Sequence, residues 1–300
     1  HKIDSILIER KGTKSMSAAA MVSKYVKKVY LLSDPELEKE EFLKEMLKLG
    51  RELAPNKGIL FPTHDEYVIT LWENQSRLSK YFEFPMSEWK TVEQLLNKKN
   101  LYLLCDSLDI PCPKTKEIDS YKEFVEIKDS FLFPVIIKPS LWDTDLIKLL
   151  GKKTLIFYDK KEADELLERV YAKLKRNAKL LIQEYIEGDI AQMPDITVFC
   201  DRKGRVKSWT AAIKLRQFPP QTGTSTMATV LSPELEMCKV TYKMTQKLVE
   251  SIGFYGVCDA EYMYDVRDGK YKMIEVNTRF HMQNCMLCTS GVNMAYYIYC

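Results

Sequence analysis

The sequence predicts a two-lobed α+β protein with a small α/β unit ahead of it, and three observations predict it. Strand-like and helix-like segments alternate over residues 1–90. From residue 133 the segment order is β-β-α-β, then β-β-β-α-β-β. Short turns such as Arg202-Lys203-Gly204 and Arg267-Asp268-Gly269 join the later strands, which makes them antiparallel.

In order, Ile6-Leu7-Ile8 and Val29-Tyr30-Leu31-Leu32 are short apolar runs of strand type. Asp34-Pro35 opens a helix whose apolar face is Leu43, Met46, Leu47, Gly50 and Leu53, spaced i, i+3, i+4, i+7, i+10. Residues 58–62 read as a buried strand, and Asp65 heads another helix. Such alternation implies a small parallel sheet with crossover helices. No strand and helix precede Ile6, and His1 replaces an initiator Met, so this unit is expected to be truncated.

A helix is expected over 91–108, ended by Ile110-Pro111-Cys112-Pro113. Strands follow at 133–140 and 154–158, with a loop at 141–151 between them, then a helix over 161–175. Residues 180–186 form a strand ending in Glu187-Gly188. Three antiparallel strands follow at 195–201, 206–218 and 225–231, then a helix over 233–251. The last strands are 256–265 and 271–278, and 280–300 reads as a buried loop and helix whose end is also cut short.

The 300 residues are 46% hydrophobic and 29% charged, a globular composition with room for more than one core. Lys+Arg 45 against Asp+Glu 42 leaves +3, which argues against a dedicated nucleic-acid binder. The longest uncharged stretch, 280–300, contains Gln283, Asn284 and Asn293 and is too polar to span a bilayer. No signal peptide is visible, and eight scattered cysteines fit a reducing cytosol. Cys285-x-x-Cys288 lacks the second pair of a zinc site, and Gly12-Thr13-Lys14-Ser15 lacks the spacing of a P-loop. His64 and His281 are too far apart in sequence to argue a dyad.

The strongest chemical signal is Asp259-Ala260-Glu261-Tyr262 taken with the run from Lys272 to Arg279. Strand alternation puts Glu275, Asn277 and Arg279 on one face, with Ile274, Val276 and Thr278 on the other. Glu261 and Glu275 on neighbouring strands, with an amide oxygen, suit a hard divalent ion; a solvated edge strand is the plainer alternative. Lys138 ends an apolar strand, where a lysine either snorkels to solvent or reaches a phosphate. Gln183-Glu184-Tyr185-Ile186 ends a buried strand in polar residues, which suits a hinge that reads a flat base edge.

Together these segments resemble the ATP-grasp superfamily over essentially the whole chain, within it the carboxylate–amine ligases. The carrying residues are Leu60-Phe61-Pro62-Thr63-His64-Asp65-Glu66, Asn97-Lys98, Lys138-Pro139, Lys153, Gln183-Glu184-Tyr185-Ile186, Arg216-Gln217-Phe218-Pro219-Pro220 and Glu261 with Glu275-x-Asn277-x-Arg279. The resemblance implies a partial pre-ATP-grasp domain at 1–90 and an ATP-grasp domain at 91–300. It implies that Lys98, Lys138 and Lys153 contact ATP phosphates and that Gln183, Glu184 and Ile186 hold the adenine. Asp195 or Asp189 would take the ribose, and Glu261, Glu275 and Asn277 would bind Mg²⁺, with Mn²⁺ as a substitute. Arg216 and Arg279 would stabilise the γ-phosphate or an acyl phosphate. Asn97 stands where the family more often has Asp, and residues 141–151 lack a glycine-rich lid.

The implied activity is ADP-forming ligation of a small carboxylate, such as an amino acid, to an amine, in a cytoplasmic protein and with a homodimer allowed. Its alternatives are a carbamoyl-phosphate-synthase-like step on bicarbonate and a non-catalytic ATP-binding regulatory module.

Overall fold

The computed structural model describes residues 3–12, 18–139, 144–152, 154–174, 179–218 and 224–300. Its strands are β1 (Ser5–Arg10), β2 (Val26–Leu32), β3 (Gly58–Ile59), β4 (Phe82–Glu83), β5 (Thr115–Ile118), β6 (Val135–Pro139), β7 (Leu155–Phe157), β8 (Leu180–Glu184), β9 (Pro194–Cys200), β10 (Val206–Phe218), β11 (Thr224–Leu231), β12 (Gly256–Asp265) and β13 (Lys270–Asn277).

Two sheets carry the later part of the chain. One is four-stranded in the order β5-β8-β6-β7, the other five-stranded in the order β11-β10-β9-β12-β13, and every pairing in both is antiparallel. In the first part the pairing is parallel, as the β/α alternation predicts. It is divided among the described residues into two separate pairs, β1 with β2 and β3 with β4.

Two main cores stabilise these layers. Phe42, Met46, Val68 and Trp72 from the first part share one core with Ile196, Val198, Cys258, Ala260 and Val276 of the five-stranded sheet. Val135, Ile137, Leu180 and Ile182 form the other with Phe124 and Leu167. The join between the first part and β12 is tight. Gly256 has φ +116°, and a Cβ there would lie 2.7 Å from Pro85 O, so only glycine lets the strand start at that point.

Several elements depart from the expectation. The single helix over 91–108 is two helices, Trp89–Leu96 and Lys98–Ser107. Asn97 divides them with extended backbone (ψ 109°), and its side chain accepts from Lys99 N at 3.0 Å and Asn100 N at 3.2 Å. It therefore caps the second helix as an aspartate would. Asn97→Ala is expected to cost about 1 kcal/mol, read as a lowered thermal unfolding midpoint.

The strand expected over 58–62 shortens to β3: Gly58 and Ile59 pair with β4, and Leu60 N, donating to Glu83 O at 3.2 Å, makes the last bond to it. The loop expected over 141–151 contains a helix, Thr144–Leu150, whose Leu146 and Leu150 fill the second core. β5 and the helix Tyr121–Ile127 went unanticipated, since a four-residue strand without alternation carries little local signal. The tail 280–300 forms two helices, Asn284–Thr289 and Met294–Tyr299, rather than one.

Candidate active site

The polar face of the five-stranded sheet follows from register. Across β9, β12 and β13, Asp195 stands opposite Glu261, and Glu261 opposite Glu275. Two residues along, Thr197 stands opposite Asp259, and Asp259 opposite Asn277. Side chains alternate, so these six share one face, while Ile196, Cys258, Ala260 and Val276 enter the core on the other. On β10, Ala212 pairs with Asp195, which places Lys214 on the same face one step further.

Cations close this acidic grid from three directions. Lys214 Nζ is 2.7 Å from Glu261 Oε2, and Lys98, first residue of its helix, is 3.0 Å from Glu275 Oε2. Arg279 donates from Nε to Asp65 Oδ1 at 2.7 Å and from Nη2 to Asn277 Oδ1 at 3.1 Å. Asp65 begins the helix Asp65–Glu73, so the first part of the chain contributes directly to the grid. Asn277 Nδ2 lies 3.4 Å from Glu261 Oε1.

Crowding divides the carboxylates electrostatically. Burial, reinforced by Glu275, pushes Glu261 up to about 7 in spite of Lys214. Burial also raises Asp195 well above the usual carboxylate range, with Glu261 and Asp259 adding to the effect. For Glu275 burial works in the same direction, but Lys98, Lys214 and Arg279 outweigh it and hold its pKa low. Burial opposes the charge on Lys98 and Lys214, yet Glu275 and Glu261 respectively keep both above the ordinary lysine value. Asp195 Oδ1 is buried without a hydrogen-bond partner.

The donors available to a metal here are carboxylate oxygens and an amide oxygen, the set that suits Mg²⁺. No preformed cage of three acidic or histidine ligands exists among the described residues. The ammonium groups of Lys98 and Lys214 lie against the carboxylates instead.

The second cluster of anticipated residues lies where the two sheets meet. Gln183 Nε2 donates to Tyr102 OH at 2.7 Å, and that hydroxyl donates to Ile274 O at 2.7 Å, linking β8 to β13. Glu184 grips the peptide of Lys114: its N–H donates to Lys114 O at 2.9 Å, and its carboxylate accepts from Lys114 N at 3.3 Å. Tyr185 N donates to Pro134 O, and Ile186 is buried. Gly188 allows the chain to pass close over β12, since a Cβ there would lie 2.8 Å from Met263 Sδ.

Lys138 lies on β6 opposite Leu181, half-buried. Arg216 is exposed near the end of β10, Asp189 caps the turn at Ala191, and Lys153 lies outside the described residues. The structure thus gathers Lys98, Asp195, Glu261, Glu275, Asn277 and Arg279, and brings Gln183 to them through Tyr102. The sequence gives no site role to Lys214, Asp65, Asp259 or His281, although Asp259 stands in the run with the strongest chemical signal and Asp65 among the residues that carry the resemblance. The alternation that grouped Glu275 with Asn277 would, applied to β12, have grouped Asp259 with Glu261.

The chain is similar in sequence or in fold to several proteins. D-aspartate ligase of Enterococcus faecium is 26% identical over 285 residues, 92% of this chain and 67% of that protein. An L-amino acid ligase from Bacillus licheniformis superposes with TM-score 0.69 at 14% identity, covering 98% of this chain and 66% of that one. Biotin carboxylase from Campylobacter jejuni, in a complex with beta-gamma-ATP, superposes with TM-score 0.71 at 12% identity, covering 98% and 64%. The chain spans about two thirds of the length of each of these relatives. Residues 97–298, from the capping Asn97 through every residue of the grid except Asp65, match the model for the carbamoyl-phosphate synthase L chain, ATP binding domain. The chain belongs to that ATP-grasp family.

Proposed function

We propose that this chain is an ATP-dependent carboxylate–amine ligase that activates a small carboxylate as an acyl phosphate and releases ADP. The observation that carries this reading is the row Asp195–Glu261–Glu275 flanked by Lys98, Lys214 and Arg279. Buried carboxylates set against one another are costly unless cations compensate them. Glu261, Glu275 and Asn277 would hold Mg²⁺, which when bound draws phosphate oxygens together and neutralises their charge.

The residues of the chain supply positioning and fixed charge. Lys98 and Lys214 stand against the metal carboxylates and can turn to phosphate oxygens when ATP enters. Lys138 would add charge from β6 of the four-stranded sheet, and Arg216 from β10. Gln183, Glu184 and Ile186 would border the adenine. The N–H groups of Glu184 and Tyr185 are already bonded to Lys114 O and Pro134 O, so Ile186 N–H is the donor left to read the base. Asp195, with Oδ1 unpartnered, would accept from a ribose hydroxyl at the far end of the row. Arg279 supplies the guanidinium where γ-phosphate and carboxylate meet, so that two anions approach without a dedicated nucleophile.

Eight free cysteines, three of them exposed, fit the reducing cytoplasm where Mg²⁺-ATP is abundant. Among the described residues no helix is long and apolar enough to cross a membrane.

The test is ADP release from Mg²⁺-ATP over a panel of D- and L-amino acids and bicarbonate, with hydroxylamine present. The expected result is carboxylate-dependent ADP release with matching hydroxamate for an amino acid. ADP release with bicarbonate alone would favour the carbamoyl-phosphate-like alternative. No ADP release with any carboxylate, despite thermal stabilisation by Mg²⁺-ATP, would favour a binding module.

A further inference from the structure

The segment after β13 folds back over the polar grid with every second side chain directed at it. Arg279 reaches Asn277, His281 Nε2 is 3.1 Å from Thr197 Oγ1, and Gln283 Nε2 is 3.3 Å from Asp195 Oδ2. His281 therefore stands over the row Thr197–Asp259–Asn277, one strand step from the row that contains Glu261 and Glu275.

The hydroxyl of Thr197 fixes which nitrogen of His281 carries the proton. A threonine has one hydroxyl proton, and Thr197 donates it to Asp259 Oδ1 at 3.0 Å. Its oxygen can then only accept from the imidazole, so Nε2 is protonated and Nδ1 presents a lone pair. Nδ1 makes no hydrogen bond to any described residue. Asp259 Oδ1 is 3.9 Å from Nε2, placed to stabilise an imidazolium once a second proton arrives. A base oriented by a hydroxyl and a carboxylate behind it follows the logic of nucleophile-activating triads.

We propose that His281 is the general base of the ligation half-reaction, taking at Nδ1 a proton from the ammonium of the incoming amine. This rests on the ligase reading above. An amine reaches the site mostly as an ammonium at neutral pH, with no lone pair to attack. His281 removes one proton; the freed lone pair attacks the acyl-phosphate carbonyl carbon and forms the C–N bond. The C–O bond to phosphate breaks with its electron pair on the leaving oxygen. The second N–H proton goes to the departing phosphate, and His281 later releases its proton to solvent. Imidazole suits such a transfer near neutral pH. Of the ionisable groups, Asp259 on β12 faces it at 3.9 Å, Asp195 on β9, Glu261 on β12 and Lys214 on β10 share the sheet face beneath it, and Arg279 stands two residues before it.

Hydroxylamine provides the test, because it is uncharged at neutral pH and attacks an acyl phosphate without prior deprotonation. His281→Gln is compared with wild type using the D- and L-amino acid panel as carboxylates. Hydroxylamine serves as nucleophile in one arm and the same amino acids as amine donors in the other. The expected result is hydroxamate formation within about threefold of wild type, with amide formation lowered by about 10²-fold or more. Raising the pH from about 7.5 to about 9.5 should narrow that deficit, since solution then supplies free amine. Thr197→Val, which removes the acceptor that sets the tautomer, should lower amide formation by about tenfold and leave hydroxamate intact.

Equal loss of both products in His281→Gln, or no loss of either, overturns the assignment. Retained hydroxamate also certifies that the variant folds. Absence of hydroxamate in the wild type would instead overturn the ligase reading itself.

Discussion

Glu275→Ala is expected to lower carboxylate-dependent ADP release by about 10²–10³-fold while leaving the fold intact. In the row Asp195–Glu261–Glu275, Glu275 is the carboxylate whose pKa is held low, because Lys98, Lys214 and Arg279 overcome the effect of its burial. Losing it removes an oxygen donor from the proposed metal site and frees Lys98 from its counter-charge. The fold should tolerate the change, since the side chains of Lys98 and Glu275 are 33% and 35% exposed. A partly exposed pair of this kind contributes less than the buried Lys214–Glu261 pair.

Glu261→Ala is the instructive contrast. Its partner Lys214 is only 7% exposed, and removing one member of a buried pair costs about 3–5 kcal/mol. A thermal unfolding midpoint close to wild type for Glu275→Ala, and clearly lowered for Glu261→Ala, checks the distinction. ADP release unchanged in Glu275→Ala would overturn the metal assignment.

Arg279→Lys is expected to lower turnover by about 10²-fold, comparable to removal of one preorganised oxyanion donor, with little change in ATP affinity. The guanidinium meets Asp65 through Nε and Asn277 through Nη2 in one plane. A lysine ammonium is a point charge on a flexible stem and cannot span both partners in that fixed geometry. Asp65→Asn keeps the shape but removes the charge that aims the arginine. Its effect should fall on kcat rather than on KM for ATP, and should be smaller than that of Arg279→Lys. Hydroxamate yield and kcat, measured side by side, check both. Normal rates for Arg279→Lys would mean that the arginine only tethers the first part of the chain to β13.

Local pattern made much of this site readable. Glu275 and Asn277 share a face because side-chain alternation along a strand depends on nothing beyond the strand itself. For the same reason β10 and β12 begin and end where their turn residues predict. Arg279 lies past the end of β13 and reaches Asn277 from there, and a register shift at Ile274 puts Met273 rather than Ile274 into the core. Asn97-Lys98 stands out in the sequence, but the helix break between the two residues does not. A run of helix formers does not reveal that a side chain in its middle will cap a new helix.

Which strands become neighbours, and in what register, is another matter. Asp195 stands opposite Glu261 only because β9 pairs with β12, and a shift by one residue would turn it into the core. Asp65 and Arg279 are 214 residues apart, and His281 meets Thr197 across 84. No window of sequence contains both members of either pair. The sequence by itself determined the chemistry available on each strand face, since alternation and turn residues act over a few neighbours. Only the tertiary structure decided which faces meet, because burial of the shared core, spread over the whole chain, selects the register that brings Asp195, Lys214, Asp65 and His281 to one grid.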